Sequence, residues 1–451
     1  MSKASGNLTK SQIITYALPA FPASLLLVTV AIFLPNFYTD DLGVTAGMLS
    51  WVFLIGRFWD AITDPAMGHL SDSTKSRWGR RRPYFIVAAI PIWITFYLIW
   101  SPNPSLSPTM LFVYLLVCYL LLYTFWTVFF VPYNSLGMEL TSDYDERTRL
   151  FAVRQVFYVL GTVAGMLIPV YLAKKFGSRL EGYSLFALYS GGMVVLILAV
   201  AFWRLKERTD VQHAESYPFF EGLKITLKNK AFIILVTTYL ASVVGGSFLA
   251  PLTIYMAKYV IKETWAVQWV VLCYMGGSLV SIPFWAFLAQ RTSKVTAWKI
   301  AMACGVVAYF CSIWYDEGTW LLWLILAFFA GTTYGCTMAI GPAIIADVID
   351  SDELETGKRR EGAFVGIQSF VDKAAVGLAI FIGLQGLAYI GYVPNVEQTP
   401  GVISGLIFLY GILPGVLHII AIVVISKFPI TPEVHLHIQQ QLAQVRAEDR
   451  D

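Results

Sequence analysis

About twelve separate stretches of this chain stay apolar for some 20 residues, each long enough as a helix to cross the roughly 30 Å hydrocarbon core of a bilayer. They centre near residues 25, 57, 91, 120, 163, 193, 243, 278, 306, 333, 377 and 415. Hydrocarbon offers backbone N–H and C=O groups no partner, so unclosed segments of this kind must be helical. The expected class is therefore an all-α membrane protein. Composition agrees, since 57% of residues are hydrophobic and 14% charged, where soluble domains carry about a quarter charged. The first run is as long as the others and has no small-residue cleavage site behind it, so it is expected as a span and not as a signal peptide. Five cysteines, Cys118, Cys273, Cys304, Cys311 and Cys336, fall within these runs. They have no CxxC or metal spacing, and no redox or metal chemistry is expected of them.

Lysine and arginine crowd the loops after the even-numbered runs, as in "KSRWGRRRP" and "KRR". Cytoplasmic loops retain such residues, so both termini are expected in the cytoplasm, in a multi-pass protein of the cell membrane. The formal net charge of +3 then records topology and gives no reason to expect a nucleic-acid partner. The longest polar segment lies midway. It divides the chain into a six-run half at 1–205, a cytoplasmic linker at 206–230, a second half at 231–428, and a tail at 429–451. A weak internal echo supports that division: "DPAMGHLSDSTKSRWGRRRP" follows the second run and "SIPFWAFLAQRTSKVTAW" the eighth, each with a helix proline and then a basic loop. Two such halves make up the major facilitator arrangement, roughly 12 transmembrane helices alternating access to a central site. The echo is uneven, because Ser281, Ile282 and Pro283 stand where the first half has Thr63, Asp64 and Pro65. Any binding by the acids is expected from the first half alone.

Asp60 and Asp64 are four residues apart in "GRFWDAITDP", so a helix puts them on one face, one turn from each other. An ionised carboxylate near mid-bilayer is disfavoured by about 2.5–3.5 kcal/mol, and two like charges repel. Arg57, three residues before Asp60, offers ion pairing as one compensation. A bound cation is the other. Its oxygen ligands would be the two carboxylates, the Thr63 hydroxyl and the Ala61 carbonyl, which loses its helical donor to Pro65. All-oxygen sets of this kind suit hard cations such as Na⁺. In "TFWTVFFVPYNS" the pattern recurs, with Pro132 freeing the Val128 carbonyl beside Thr127, and Thr127 would complete the shell if the two helices face each other.

The segments "GRFWDAITDP", "RWGRRRP", "DERTRLFAVRQ", "IIADVID", "IQSFVDK" and "GYVPNVEQ" follow, nearly end to end and in order, those of a known family. The chain resembles the glycoside-pentoside-hexuronide:cation symporters. That resemblance implies that Asp60 and Asp64 bind a coupling Na⁺, Li⁺ or H⁺, with Thr63 and Thr127 beside them, and that Arg154 and Lys373 serve substrate binding or coupling. In the melibiose-transporting branch an acid and a tryptophan on helix 4 and an acid on helix 1 read the sugar. The matching positions here hold Phe130, Asn134 and, by a looser alignment, Ser24. "VPYNSLGM", "ADVID" and "SKFPI" are also similar to the animal sodium-coupled lysophosphatidylcholine transporter. Tyr133, Asn134 and Gln368 are further candidates to hydrogen-bond solute hydroxyls. The expectation is import of a sugar-like small organic solute with Na⁺, with a lysolipid or other amphiphile as the alternative solute and an uncoupled uniporter as the alternative mechanism.

Arg80, Arg81 and Arg82, with Asp350, Arg359 and Arg360, are expected to form cytoplasmic gate ion pairs. Lys373 and Arg154 each have a second reading as partners of intramembrane acids, and Asp372 has no assigned role. The tail "TPEVHLHIQQQLAQV" has Thr431 as cap, Pro432 in the first turn and Val434, Ile438 and Leu442 at i, i+4 and i+8, so it is expected as a surface helix with His435 and His437 solvated. No Walker-type phosphate loop and no catalytic triad spacing occur, so the chain is not expected to be an enzyme. No cofactor beyond the coupling ion, and no partner beyond solute, Na⁺ and the lipid bilayer, is expected for a monomer.

Overall fold

A computed structural model describes residues 8–141, 143–207, 224, 226–357 and 360–448. Most of the expected linker, together with Arg359, lies outside the described residues. The chain divides into two compact units, Met1–His213 and Ala214–Asp451.

The first unit contains α1 (Lys10–Asp41), α2 (Ala46–Ser73), α3 (Pro83–Trp100), α4 (Pro108–Glu139), α5 (Tyr144–Phe176) and α6 (Arg179–Arg204). The second contains α7 (Lys230–Val260), α8 (Ala266–Arg291), α9 (Lys294–Trp314), α10 (Trp320–Thr356), α11 (Glu361–Tyr389) and α12 (Pro400–Ile425), then α13 (Pro432–Glu448). Among the described residues, 11 of these are long and apolar enough to cross a membrane. Apart from the tail helix α13, the exception is α2. It has 28 residues, about 42 Å of helix, but Arg57, Asp60 and Asp64 in its middle leave it too polar to count with the rest. The helix that breaks the apolar rule is the one that carries the paired acids.

Local chemistry sets the helix starts. The side chains of Thr45, Ser107, Asp143 and Ser178 each accept a backbone N–H in the first turn of α2, α4, α5 and α6, and Asn229, Ser293 and Thr399 do the same for α7, α9 and α12. These caps satisfy donors that a helix cannot satisfy itself.

Within the first unit α1 packs on α5, α2 on α4, and α3 on both α4 and α6. Within the second α7 packs on α11, α8 on α10, and α9 on both α10 and α12. The pairing pattern therefore repeats with an offset of six helices. The first helix of each unit also ends in a π-helical turn, Phe37–Asp41 and Met256–Val260, a repeat that the side-chain sequence does not advertise.

The tail helix is less solvated than expected. Ile438 and Leu442 are buried while Val434 is exposed, and α13 lies against α10. His435, expected in solvent, has Nε2 at 3.2 Å from Asp347 and 3.5 Å from Asp350, and Asp347 also takes Lys294 at 2.6 Å. Two carboxylates on α10 attract the imidazole, so docking of α13 overrides its solvation.

Candidate cation and solute site

Asp60 is 4% exposed and Thr127 1%, so both are sealed in the α2–α4 interface. Trp59 on α2 donates its indole N–H to Thr124 on α4 at 2.8 Å, a contact that fixes the register of the two helices. One turn further along α4, the Thr127 Oγ1 lies 3.0 Å from Asp60 Oδ1 and 2.9 Å from Asp64 Oδ1. A hydroxyl has one hydrogen to give. Only one of these contacts is satisfied by it at any moment, and the other sets oxygen against oxygen. Two carboxylates one turn apart with a hydroxyl between them form an all-oxygen set of the kind that suits a hard cation. Thr63 is not part of it. Its hydroxyl turns back to the Asp60 carbonyl at 3.3 Å, so the oxygens that converge here come from two carboxylates and Thr127. The Arg57 guanidinium stands 5.2 Å from the Tyr123 ring.

A second cluster follows on the next two turns of α4. Arg154 of α5 donates to Asn134 Oδ1 at 2.7 Å, and its guanidinium stands 4.9 Å from the Tyr133 ring, 5.7 Å from Phe151 and 5.9 Å from Phe130. Phe130 stacks on Trp126 at 5.4 Å and Tyr133 on Tyr16 at 4.8 Å, while the Tyr133 hydroxyl donates to the Tyr16 carbonyl at 2.8 Å. Four expected residues, Arg154, Asn134, Phe130 and Tyr133, thus come together around one cation. Ser24 does not join them. At 1% exposed, it donates to the Tyr158 carbonyl at 2.6 Å and serves the α1–α5 seam. Beside the cluster Leu26, Leu27, Val30, Leu122, Tyr123 and Trp126 line a small recess.

In the second unit Gln368 is 8% exposed, and neither atom of its amide has a hydrogen-bond partner among the described residues. Asp372, one turn along α11, accepts from the Tyr239 hydroxyl at 3.2 Å, and Lys373 follows it on the same helix.

Of the arginines expected at a gate, Arg80, Arg81, Arg82 and Arg360 each meet partners inside their own unit. Arg81 meets Asp72 at 2.5 Å and Glu139 at 2.8 Å, and Arg80 meets Glu139 at 2.9 Å. Arg82 donates to the Phe202 carbonyl. The Glu207 carboxylate accepts the backbone N–H groups of Arg80, Arg81 and Arg82 at 2.8–2.9 Å, and a side chain at Gly79 (φ +100°) would collide with it. Arg360 forks onto Asp352 at 2.8 and 2.6 Å, while Asp350 faces His435. The sequence reading missed Glu139, Glu207 and Phe151. Phe151 was readable, three residues before Arg154 on one helix, whereas Glu207 meets its partners across more than a hundred residues and leaves no local signal.

Two six-helix units with repeated packing, spanned by apolar helices, define a helical membrane transporter, and the comparisons give its family. The chain belongs to the MFS/sugar transport protein family, which matches residues 15–432. A putative glycoside/cation symporter of Escherichia coli (strain K12) is 29% identical over 92% of this chain and 90% of the relative. A sodium-dependent lysophosphatidylcholine symporter of Gallus gallus is 25% identical over 96% and 89%. A solved nucleoside transporter shares the fold, with a TM-score of 0.67 at 13% identity over 93% of this chain and 99% of that one. Family and relatives are transporters and not enzymes.

Proposed function

We propose that this symporter-family chain couples to Na⁺ and imports a sugar- or glycoside-like solute by alternating access. The observation that carries the reading is the single Thr127 hydroxyl facing both Asp60 and Asp64. Na⁺ between the carboxylates offsets their repulsion, with Li⁺ or H⁺ as competitors for the same place. The solute is held one to two turns along α4, where Arg154, Asn134, Tyr133 and Phe130 converge. Since α4 carries both sets, cation binding stiffens the wall against which solute binds. Such coupling is reciprocal: the factor by which Na⁺ tightens solute is the factor by which solute tightens Na⁺. The similarity to a sodium-dependent lysophosphatidylcholine symporter favours a second reading, in which the solute is an amphiphile.

Thermal unfolding in lipid nanodiscs, in NaCl and in KCl, against a panel of glycosides and one lysophospholipid tests both. A ligand at a hundredfold excess over its Kd adds about 2.7 kcal/mol, enough to move a melting curve. A shift that needs Na⁺ is expected, and the ligand that produces it names the solute class. In proteoliposomes Asp64→Asn should abolish Na⁺-driven accumulation while leaving the protein folded. Accumulation by that variant, or solute flux indifferent to the Na⁺ gradient in the wild type, overturns Na⁺ coupling, and the latter result identifies a uniporter.

A further inference from the structure

The second unit holds a group of buried polar side chains that the symport reading does not use. Ser242 of α7, Tyr274 of α8, Tyr309 of α9, Thr337 of α10 and His418 of α12 surround a small cavity, about the size that one water molecule needs. Tyr309 is 4% exposed and His418 1%, so the place is sealed from solvent and lipid. The imidazole is held in one orientation. Its Nδ1 lies 2.8 Å from the Pro414 carbonyl, which can only accept, so in the neutral ring that nitrogen carries the proton and Nε2 is left as an acceptor. The ring lies against Tyr309, with centroids 5.1 Å apart. Gly245 makes room for it, since a Cβ there would come within 2.8 Å of the imidazole.

The hydroxyls around this ring are not used inside the protein. Thr337 is committed to the Thr333 carbonyl and the Trp298 N–H. Among the described residues, the Ser242, Tyr274 and Tyr309 hydroxyls form no hydrogen bond. A buried O–H left without a partner is costly, and here three of them share a space with a ring nitrogen that accepts. Gly246 shows where they converge. A Cβ built on it would lie 3.5 Å from Tyr274 Oη and 3.9 Å from Tyr309 Oη, ordinary contact distances, so alanine fits there. Glycine weakens a helix relative to alanine, yet α7 keeps glycine and leaves the space open. Such a space suits a small ligand that both donates and accepts. The residues around it include no carboxylate, so the set is not that of a cation site.

We propose that this cavity binds one resident water, which accepts from the Tyr274 and Tyr309 hydroxyls and donates to His418 Nε2 and to Ser242. The water ties α7, α8, α9 and α12 together through bonds that their side chains do not make directly. The proposal is independent of the solute and of the coupling ion.

The test turns on a sign. In Gly246→Ala the methyl group takes the place of the water and strands the hydroxyls, so the melting temperature in nanodiscs is expected to fall by about 2–4 °C, against the rise that alanine brings to a helix interior. A dry cavity gives the opposite result, because the methyl then fills space and improves the helix. A melting temperature equal to or above that of the wild type overturns the proposal. Tyr309→Phe removes one of the groups that hold the water, so Gly246→Ala should lower the melting temperature less in that background than in the wild type. The same fall in both means that the methyl acts through strain, and overturns it as well. Cryo-electron microscopy of the wild-type protein gives a readout that needs no variant. Density for a water within hydrogen-bonding distance of Tyr309 Oη and His418 Nε2 is expected, and a map that resolves other buried waters but none here overturns the assignment.

Discussion

The pairs α2–α4 and α8–α10 occupy equivalent places in the two units, yet one holds charges in its seam and the other is closed. Their prolines align them: Pro65 with Pro283, and Pro132 with Pro342. Five residues before these lie Asp60 and Ser278, and Thr127 and Thr337; one before lie Asp64 and Ile282. In α8–α10 the Thr337 hydroxyl is already committed, donating to the Thr333 carbonyl at 3.1 Å and accepting the Trp298 N–H at 3.0 Å. Ser281 donates to the Ser278 carbonyl at 3.2 Å. Gly331 and Gly335 bring α10 so close that a Cβ on either would collide with the Tyr274 or Ser278 carbonyl of α8. Small residues let helices in lipid approach backbone to backbone, where packing replaces the absent hydrophobic drive. The repeat supplies a scaffold twice: one copy holds the paired acids beside Thr127, and the other is packed backbone to backbone.

Breaking the closed copy should have the largest effect. Gly335→Val forces a branched side chain into the Ser278 carbonyl, and overpacking of this kind costs about 3 kcal/mol or more where backbone must move. A melting curve in nanodiscs is expected to fall by several degrees or the protein to fail to assemble. A Gly335→Val protein as stable as wild type would show that α8 and α10 are not held by that seam. Installing the missing acid comes next. Ile282→Asp places a carboxylate opposite no committed donor, with an expected loss of about 2.5–3.5 kcal/mol and no second Na⁺ bound by isothermal titration. Gain of a second Na⁺ would mean that the closed copy retains a latent site.

How much of this was legible depends on range. The acid pair and its threonine were readable because i,i+4 spacing and a helix proline are local features, and because a charge in an apolar run demands compensation wherever it falls. The repeat was visible only as a faint echo, since packing pairs and terminal π turns tolerate many side chains. Ser24 illustrates the limit. Serine in an apolar helix is compatible with a cavity or with a seam, and only the α5 carbonyl at Tyr158 decides between them. Glu207 and His435 illustrate another: both find oppositely charged or donor groups on distant elements, and a polar loop or amphipathic tail says nothing of which partner it will meet. Twelve helices are expected and 11 pass on length and composition; the difference is α2, whose charges remove it from the apolar set.

The smallest predicted effect is the most discriminating, because it swaps one atom in each copy. Thr127→Val keeps shape and removes the hydroxyl between Asp60 and Asp64. It should weaken Na⁺ about tenfold, near 1.4 kcal/mol, with a smaller change in the stability of the cation-free protein, since a hydroxyl facing two carboxylates satisfies one at a time. Thr337→Val should do the reverse. It strands the buried Trp298 N–H, a loss of about 1–3 kcal/mol in stability, and leaves Na⁺ affinity unchanged. Sodium titration and melting curves on the two variants give the four values needed. Equal loss of Na⁺ affinity in both would mean that the cation responds to general loosening of the bundle, and the Thr127 triangle would then be a packing contact that happens to contain acids.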